Sequence, residues 1–238
     1  MKILLLTRLS KQSDLYHDTK HYQFAEMLAN YLTVFDEHEV DIEISKPDSI
    51  EFNKYDLAIS YMYPYILREK HFNLTKWGIA NLHSSFLPFN RGAYPNCWSI
   101  IDQTFAGTTV HWIDSGIDTG NILAQRQVEI SPLDTGETLY HRLERSMYWT
   151  FIDCWRDLEK SLLNGIKPIG TIQNDDYSST HKKSEIELVD DLESYFGIQT
   201  AHEFINILRA RTFQNYPSAY IKDSNGNKVY VRVQLSYE

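Results

Sequence analysis

Short apolar runs alternate with polar stretches along the first half of the chain. Ile3 to Leu6 is a continuous apolar run, the pattern of a strand buried on both faces of a parallel sheet. Phe24, Ala25, Met27, Leu28 and Leu32 recur at helical spacing between His21 and Leu32, which predicts a helix packed by one face on that sheet. Glu39 to Ile44 alternates as Val40, Ile42 and Ile44, and Tyr55 to Tyr61 gives a further short strand. Gly78 to His83 is strand-like up to its polar end, and Phe105 to Ile113 is a β-rich run. Ile122 to Ile130 alternates weakly and reads as an antiparallel strand after a turn at Gly120. From Asp134 a long stripe of Leu139, Leu143, Met147, Phe151, Trp155, Leu158 and Leu162 predicts a helix whose aromatic residues are core, stopped by Asn164-Gly165 and Pro168. The pattern predicts an α/β fold: a Rossmann-like, mostly parallel sheet flanked by helices.

The composition turns polar at Asn174 to Thr180, the best boundary in the chain, so residues 1–173 are expected to form the main domain and 174–238 a small C-terminal region. In that tail, Ile186, Leu188, Leu192 and Phe196, then Phe204, Ile205, Ile207 and Leu208, predict two short helices. Ala219 to Ile221 and Val229 to Val233, joined through Asn225-Gly226, predict a β-hairpin. So small a tail has little core of its own and is expected to dock on the main domain or on a second subunit, which makes a homodimer through the hairpin an expectation.

Composition narrows the classes of function. A net charge of -9 argues against broad nucleic-acid binding, which needs excess Lys and Arg. Cys97 and Cys154 lie far apart without metal-type spacing, so no zinc site or disulfide framework is expected, and a cytoplasmic location fits. No apolar stretch approaches the roughly 20 residues that span a bilayer. The polar stretch Thr7 to Lys20 lies where α/β proteins place ligand loops, but it has no glycine and so is neither a dinucleotide fingerprint nor a P-loop.

The chemistry gathers between Asn81 and Gly120. Two residues apart on one strand, Asn81 and His83 face the same side. An amide can hold an oxygen that gains negative charge, and an imidazole can donate to it or move a proton. Asp118, in a turn between Gly116 and Gly120, completes the set as a base or as the group that orients His83. The three suit attack of an amine on an acyl carbon. His111, inside a strand run, reads as a structural residue.

Asn81-Leu82-His83-Ser84-Ser85-Phe86-Leu87-Pro88, Arg91-Gly92 and Gly116-Ile117-Asp118-Thr119-Gly120-Asn121-Ile122 resemble the signature of the folate-dependent formyltransferases, over roughly the first two thirds of the chain. Ser84 departs from the proline common at that position, which bears on loop shape and leaves the three catalytic groups in place. The resemblance implies that Asn81, His83 and Asp118 are catalytic. It implies 10-formyltetrahydrofolate as donor, without a metal, held near Met62, Tyr63 and Ile66 and beside Asp114 and Ile117.

For the acceptor, Arg91 to Trp98 and Leu208 to Pro217 look most like the sugar N-formyltransferases, many of which act on dTDP-linked amino-dideoxy sugars for surface polysaccharides such as O-antigen. A base can stack on Phe213, Tyr216 or Tyr220, a pyrophosphate needs donors such as Arg68, Lys11 or Arg91, and Tyr94 is a further candidate for substrate binding. A dTDP-3-amino sugar, methionyl-tRNA and a silent nucleotide-sugar or folate binding protein are the alternatives.

Overall fold

The computed structural model describes residues 1–8, 15–195, 197, 200–214 and 216–237, with side chains for all of these except 15–20. Lys11 and Phe196 lie outside the described residues. In chain order the elements are β1 (Lys2–Leu6), α1 (Leu15–Val34), β2 (Glu39–Glu43), β3 (Leu57–Tyr61), α2 (Glu69–Phe72), β4 (Ile79–His83), β5 (Arg91–Gly92), α3 (Pro95–Ile101), β6 (Ala106–Trp112), β7 (Ile122–Val128), α4 (Gly136–Leu163), β8 (Thr180–His181), α5 (Lys183–Asp190), α6 (Ala201–Ala210), β9 (Tyr220–Lys222) and β10 (Lys228–Tyr230).

The main sheet has the order β2-β1-β3-β4-β6-β7. β1 runs parallel to β2 and β3, and β3 parallel to β4, while β4 and β6 are antiparallel. This is the α/β, mostly parallel arrangement that the apolar runs predict. Burial follows position in the sheet: β3 is buried at every residue and β1 at all but its first, whereas the edge strand β2, Glu39–Glu43, is only half-buried and carries three acidic residues. Among the described residues no helix is long and apolar enough to cross a membrane.

The chain divides into two units. The first gathers Met1–His83, Thr109–Ala124 and Thr150–Gln173. One of its cores unites Leu4, Leu6, Ala58 and Ile79 of the sheet with Phe52 and Leu67. Ala25, Leu28 and Leu32 of α1 are buried as the spacing predicts, but Met27 is 42% exposed. At about 100° per residue it points well away from the arc shared by the other three. Trp155 of α4 is fully buried and donates its indole N–H to Asp36 at 2.8 Å, so the polar edge of this large core residue is satisfied.

The second unit gathers Ser84–Thr108, Gln125–Trp149 and Asn174–Glu238. Its core joins Cys97, Trp98 and Ile100 of α3 to Leu139 and Leu143 of α4, Ile186 and Val189 of α5 and Ile207 and Ala210 of α6. The apolar pattern does not reveal α3, because its five residues from Asn96 to Ile100 are buried whether polar or not, so no solvent face marks a period. α6 begins with a capping box: Thr200 Oγ1 accepts from the Glu203 amide at 3.1 Å, and Glu203 Oε2 from the Thr200 amide at 3.0 Å. The predicted hairpin forms as β9 and β10, and at its tip Asp223 accepts from the amides of Asn225 and Asn227, both at 2.8 Å.

Candidate active site

Asn81 and His83 occupy alternate positions of β4, and the antiparallel register sets Asn81 directly opposite His111 of β6. Backbone ladders therefore fix all three side chains. His111 is 1% exposed, and its Nδ1 lies 2.8 Å from the carbonyl oxygen of Trp112. A carbonyl only accepts, so Nδ1 carries a proton and Nε2 is left to face the Asn81 amide. Asn81 Nδ2 stands 3.2 Å from that Nε2, which fixes the amide with its nitrogen toward His111. The same Nδ2 is 3.5 Å from Asp118 Oδ1.

Asp118 comes from the loop between β6 and β7. That loop is folded by Asp114, whose Oδ1 accepts from the Gly116 amide at 3.0 Å and from Thr119 Oγ1 at 2.6 Å. Asp118 has a left-handed backbone, with φ at +54°. Gln173 holds it there: Nε2 donates to the carbonyls of Asp118 and Gly120, each at 2.8 Å. At Gly120 a Cβ would lie 1.8 Å from the Trp112 carbonyl oxygen, so no other residue fits without moving the strand end.

This backbone work aims the Asp118 carboxylate at both imidazoles. Oδ2 is 3.5 Å from His83 Nε2 and Oδ1 is 3.6 Å from His111 Nε2, with both side chains of the His83–Asp118 pair mostly buried. These separations exceed ordinary hydrogen-bond lengths, and catalytic hydrogen bonds commonly tighten only when substrate binds. An amide N–H, an imidazole and a carboxylate thus converge, a set able to polarise a carbonyl and receive a proton.

The other residues singled out in the sequence fall into two groups. In the first unit, Met62 follows β3 with φ at +54°, and Ile66 and Ile117 are exposed. Tyr63 donates its hydroxyl to the Ser45 carbonyl, and burial pushes its phenol pKa up. Arg68 is exposed at the start of α2, and the Asp114 carboxylate is engaged in its own loop. In the second unit, Arg91 is buried and paired with Asp175 at 2.8 Å. Tyr94 is 36% exposed. Phe213 packs edge-on against Tyr140 and Tyr216, with centroids 5.8 and 5.1 Å away. Tyr220 is buried, with Lys228 Nζ 4.0 Å from its ring centre.

Two residues of the site were not picked out by the sequence. His111 reads as structural because only strand pairing reveals that it faces Asn81. Gln173 carries no local signal, since its partners lie more than fifty positions away.

A model for the formyl transferase family matches residues 14–154, and one for the N-formyltransferase dimerization C-terminal domain matches residues 198–237. The dTDP-4-amino-4,6-dideoxyglucose formyltransferase of Mycobacterium bovis is 33% identical over 165 residues, or 66% of this chain, and the matched part is 64% of that protein's length. The formyltransferase PseJ from Anoxybacillus kamchatkensis, solved with UDP-4,6-dideoxy-4-formamido-L-AltNAc and tetrahydrofolate, is 34% identical with a TM-score of 0.64, over 79% of this chain and 88% of that one. A 4-N formyltransferase from Francisella tularensis, 22% identical, shares the fold with a TM-score of 0.78 over 100% of this chain and 98% of that one.

Proposed function

Because this chain belongs to the formyl transferase family, we propose that it moves a formyl group from 10-formyltetrahydrofolate to the amine of a dTDP-linked 4-amino-4,6-dideoxy sugar. The supporting observation is the convergence of Asn81, His83 and Asp118, with Asp118 oxygens 3.5 Å from both partners. The neutral amine attacks the formyl carbon, forming the new C–N bond. Asn81 and His83 stabilise the oxyanion. The bond from that carbon to N10 of the folate then breaks as N10 gains a proton, and Asp118, directly or through water, removes the proton of the amine. His111 is assigned a positioning role, as the acceptor that keeps the Asn81 amide nitrogen forward.

Met62, Tyr63, Ile66, Asp114 and Ile117 are proposed to line the folate site, and Arg68, Arg91, Tyr94, Phe213, Tyr216 and Tyr220 to meet the acceptor. Residues 1–173 are taken as the catalytic domain and 174–238 as a small C-terminal region. The match to a dimerization domain, with Ile221, Val229 and Tyr230 of the hairpin each more than 40% exposed, supports a homodimer through that hairpin. A cytoplasmic role in surface polysaccharide synthesis is consistent with this acceptor.

A second reading, a UDP-linked 4-amino sugar, is favoured by the 34% identity to PseJ. The test is to supply purified protein with 10-formyltetrahydrofolate and dTDP-4-amino, dTDP-3-amino or UDP-4-amino sugars, and to follow tetrahydrofolate release and the formamide product. Turnover is expected to be fastest with the dTDP-4-amino sugar. Tight binding without release would instead identify a silent binding protein.

A further inference from the structure

Tyr94 has an unusual backbone for its residue type. Its φ and ψ are +56° and +45°, in the left-handed region, where a bulky L-residue is strained. Pro95 follows directly, and the proline ring further restricts the residue before it. The Tyr94 carbonyl starts α3 by accepting from the amides of Cys97 and Trp98 at 2.9 and 3.1 Å, so the conformation is locked, and the ring is left 36% exposed.

Beneath that ring lies a buried ion pair. Arg211, just after α6, donates from Nε and Nη2 to the two oxygens of Asp190, the last residue of α5, at 2.5 and 2.9 Å. Nη2 also donates to the Pro217 carbonyl at 3.0 Å, and Nη1 lies 3.8 Å from Cys97 Sγ. The guanidinium carbon is 5.9 Å from the centre of the Tyr94 ring, within cation–π range. Arg211 is thus occupied by the protein itself, as a support and not as a phosphate clamp. Apolar packing commonly matches or exceeds the stability of such a buried pair, so what the pair supplies is direction: a flat, fixed cation on one side of Tyr94.

Strained non-glycine backbone persists where the surroundings enforce it and is concentrated at functional sites. Resting on the reading of this chain as a nucleotide-sugar formyltransferase, we propose that Arg211 and Asp190 are positioning residues that hold the strained Tyr94 ring as a platform for the acceptor.

The test separates acceptor recognition from folding. Tyr94→Gly suits the left-handed backbone and removes the ring. It should leave the melting temperature unchanged or higher, raise the acceptor KM about tenfold, near the upper end of what an aromatic contact is worth, and change kcat and the donor KM by less than about twofold. Tyr94→Phe should recover most of the lost affinity. Arg211→Lys keeps the charge but loses the planar fork, and it should raise the acceptor KM in the same way. The double variant should be no worse than Tyr94→Gly, because both changes act through one ring. A folded Tyr94→Gly enzyme with an unchanged acceptor KM overturns the inference alone, as does an Arg211→Lys effect that adds to it. A wild-type protein inert toward every nucleotide amino sugar overturns the functional reading and this inference together. If Arg211→Lys does not fold, Asp190→Asn takes its place, with the same expected rise in acceptor KM and the same lack of additivity with Tyr94→Gly.

Discussion

The proposed reaction centre and the aromatic residues proposed to meet the acceptor are held in place by different means. Asn81, His83 and His111 stand on hydrogen-bonded strands whose register sets their spacing. Phe213 and Tyr216 stand in the segment between α6 and β9, fastened by Arg232, which donates to their two carbonyls at 3.1 Å each. A strand residue cannot move without its ladder, whereas a loop residue can change with little cost to the fold. One reaction can therefore persist while the acceptor changes.

Substitutions should separate the two regions. Asn81→Ala or His83→Ala should lower kcat about a hundredfold or more, the usual worth of a preorganised oxyanion donor. Near-normal tetrahydrofolate release in both would remove the strand-held site from the chemistry. The frame of the first unit can be probed through Cys154, whose thiol pKa burial pushes up to about 12. The unfolded thiol titrates near about 8.5, so the native state keeps its proton longer; this contribution is complete below that pH and is lost as pH rises toward about 12. Denaturant unfolding should show about 2 kcal/mol of stability lost through this group by pH 10. The loss should be absent from Cys154→Ala, and parallel pH profiles would contradict it.

Next in size, Gln173→Ala should lower kcat about tenfold by loosening Asp118, and Gln173→Glu more, because a carboxylate repels the two carbonyls the amide now joins. Equal activity in the three proteins would show that the loop holds its shape unaided. Smallest, Phe213→Ala should raise the acceptor KM a few-fold, about the worth of one aromatic contact, with kcat unaltered. A fall in kcat matching that of Asn81→Ala would erase the division between the two regions.

That division also sets what the sequence discloses. A strand buried on both faces appears as an unbroken apolar run, so β1 was legible, and β3 and β4 showed as shorter apolar stretches, as did the side shared by Asn81 and His83. Pairing partners were not: nothing local says that His111 faces Asn81 or that Gln173 reaches the carbonyls beside Asp118, because both depend on distant segments meeting. α3 escaped for a different reason, being buried all round. Tyr94, Arg211 and Phe213 drew notice only as parts of two resembling segments, while Asp190 drew none and the pairing of Arg211 with it stayed hidden, since a buried ion pair looks in sequence like two ordinary surface charges.

Gln173 has a bearing on loop grafting. A side-chain amide has only two hydrogens, and here they reach two carbonyls separated by one residue, so the amide acts as a gauge of the chain between Asp118 and Gly120. Segments transplanted from relatives across 115–117 should keep the fold so long as they retain Gly116, where a Cβ would lie 2.1 Å from Thr119 Oγ1. An insertion or deletion between 118 and 120 should not, however conservative its residues, because no single glutamine could then span both oxygens.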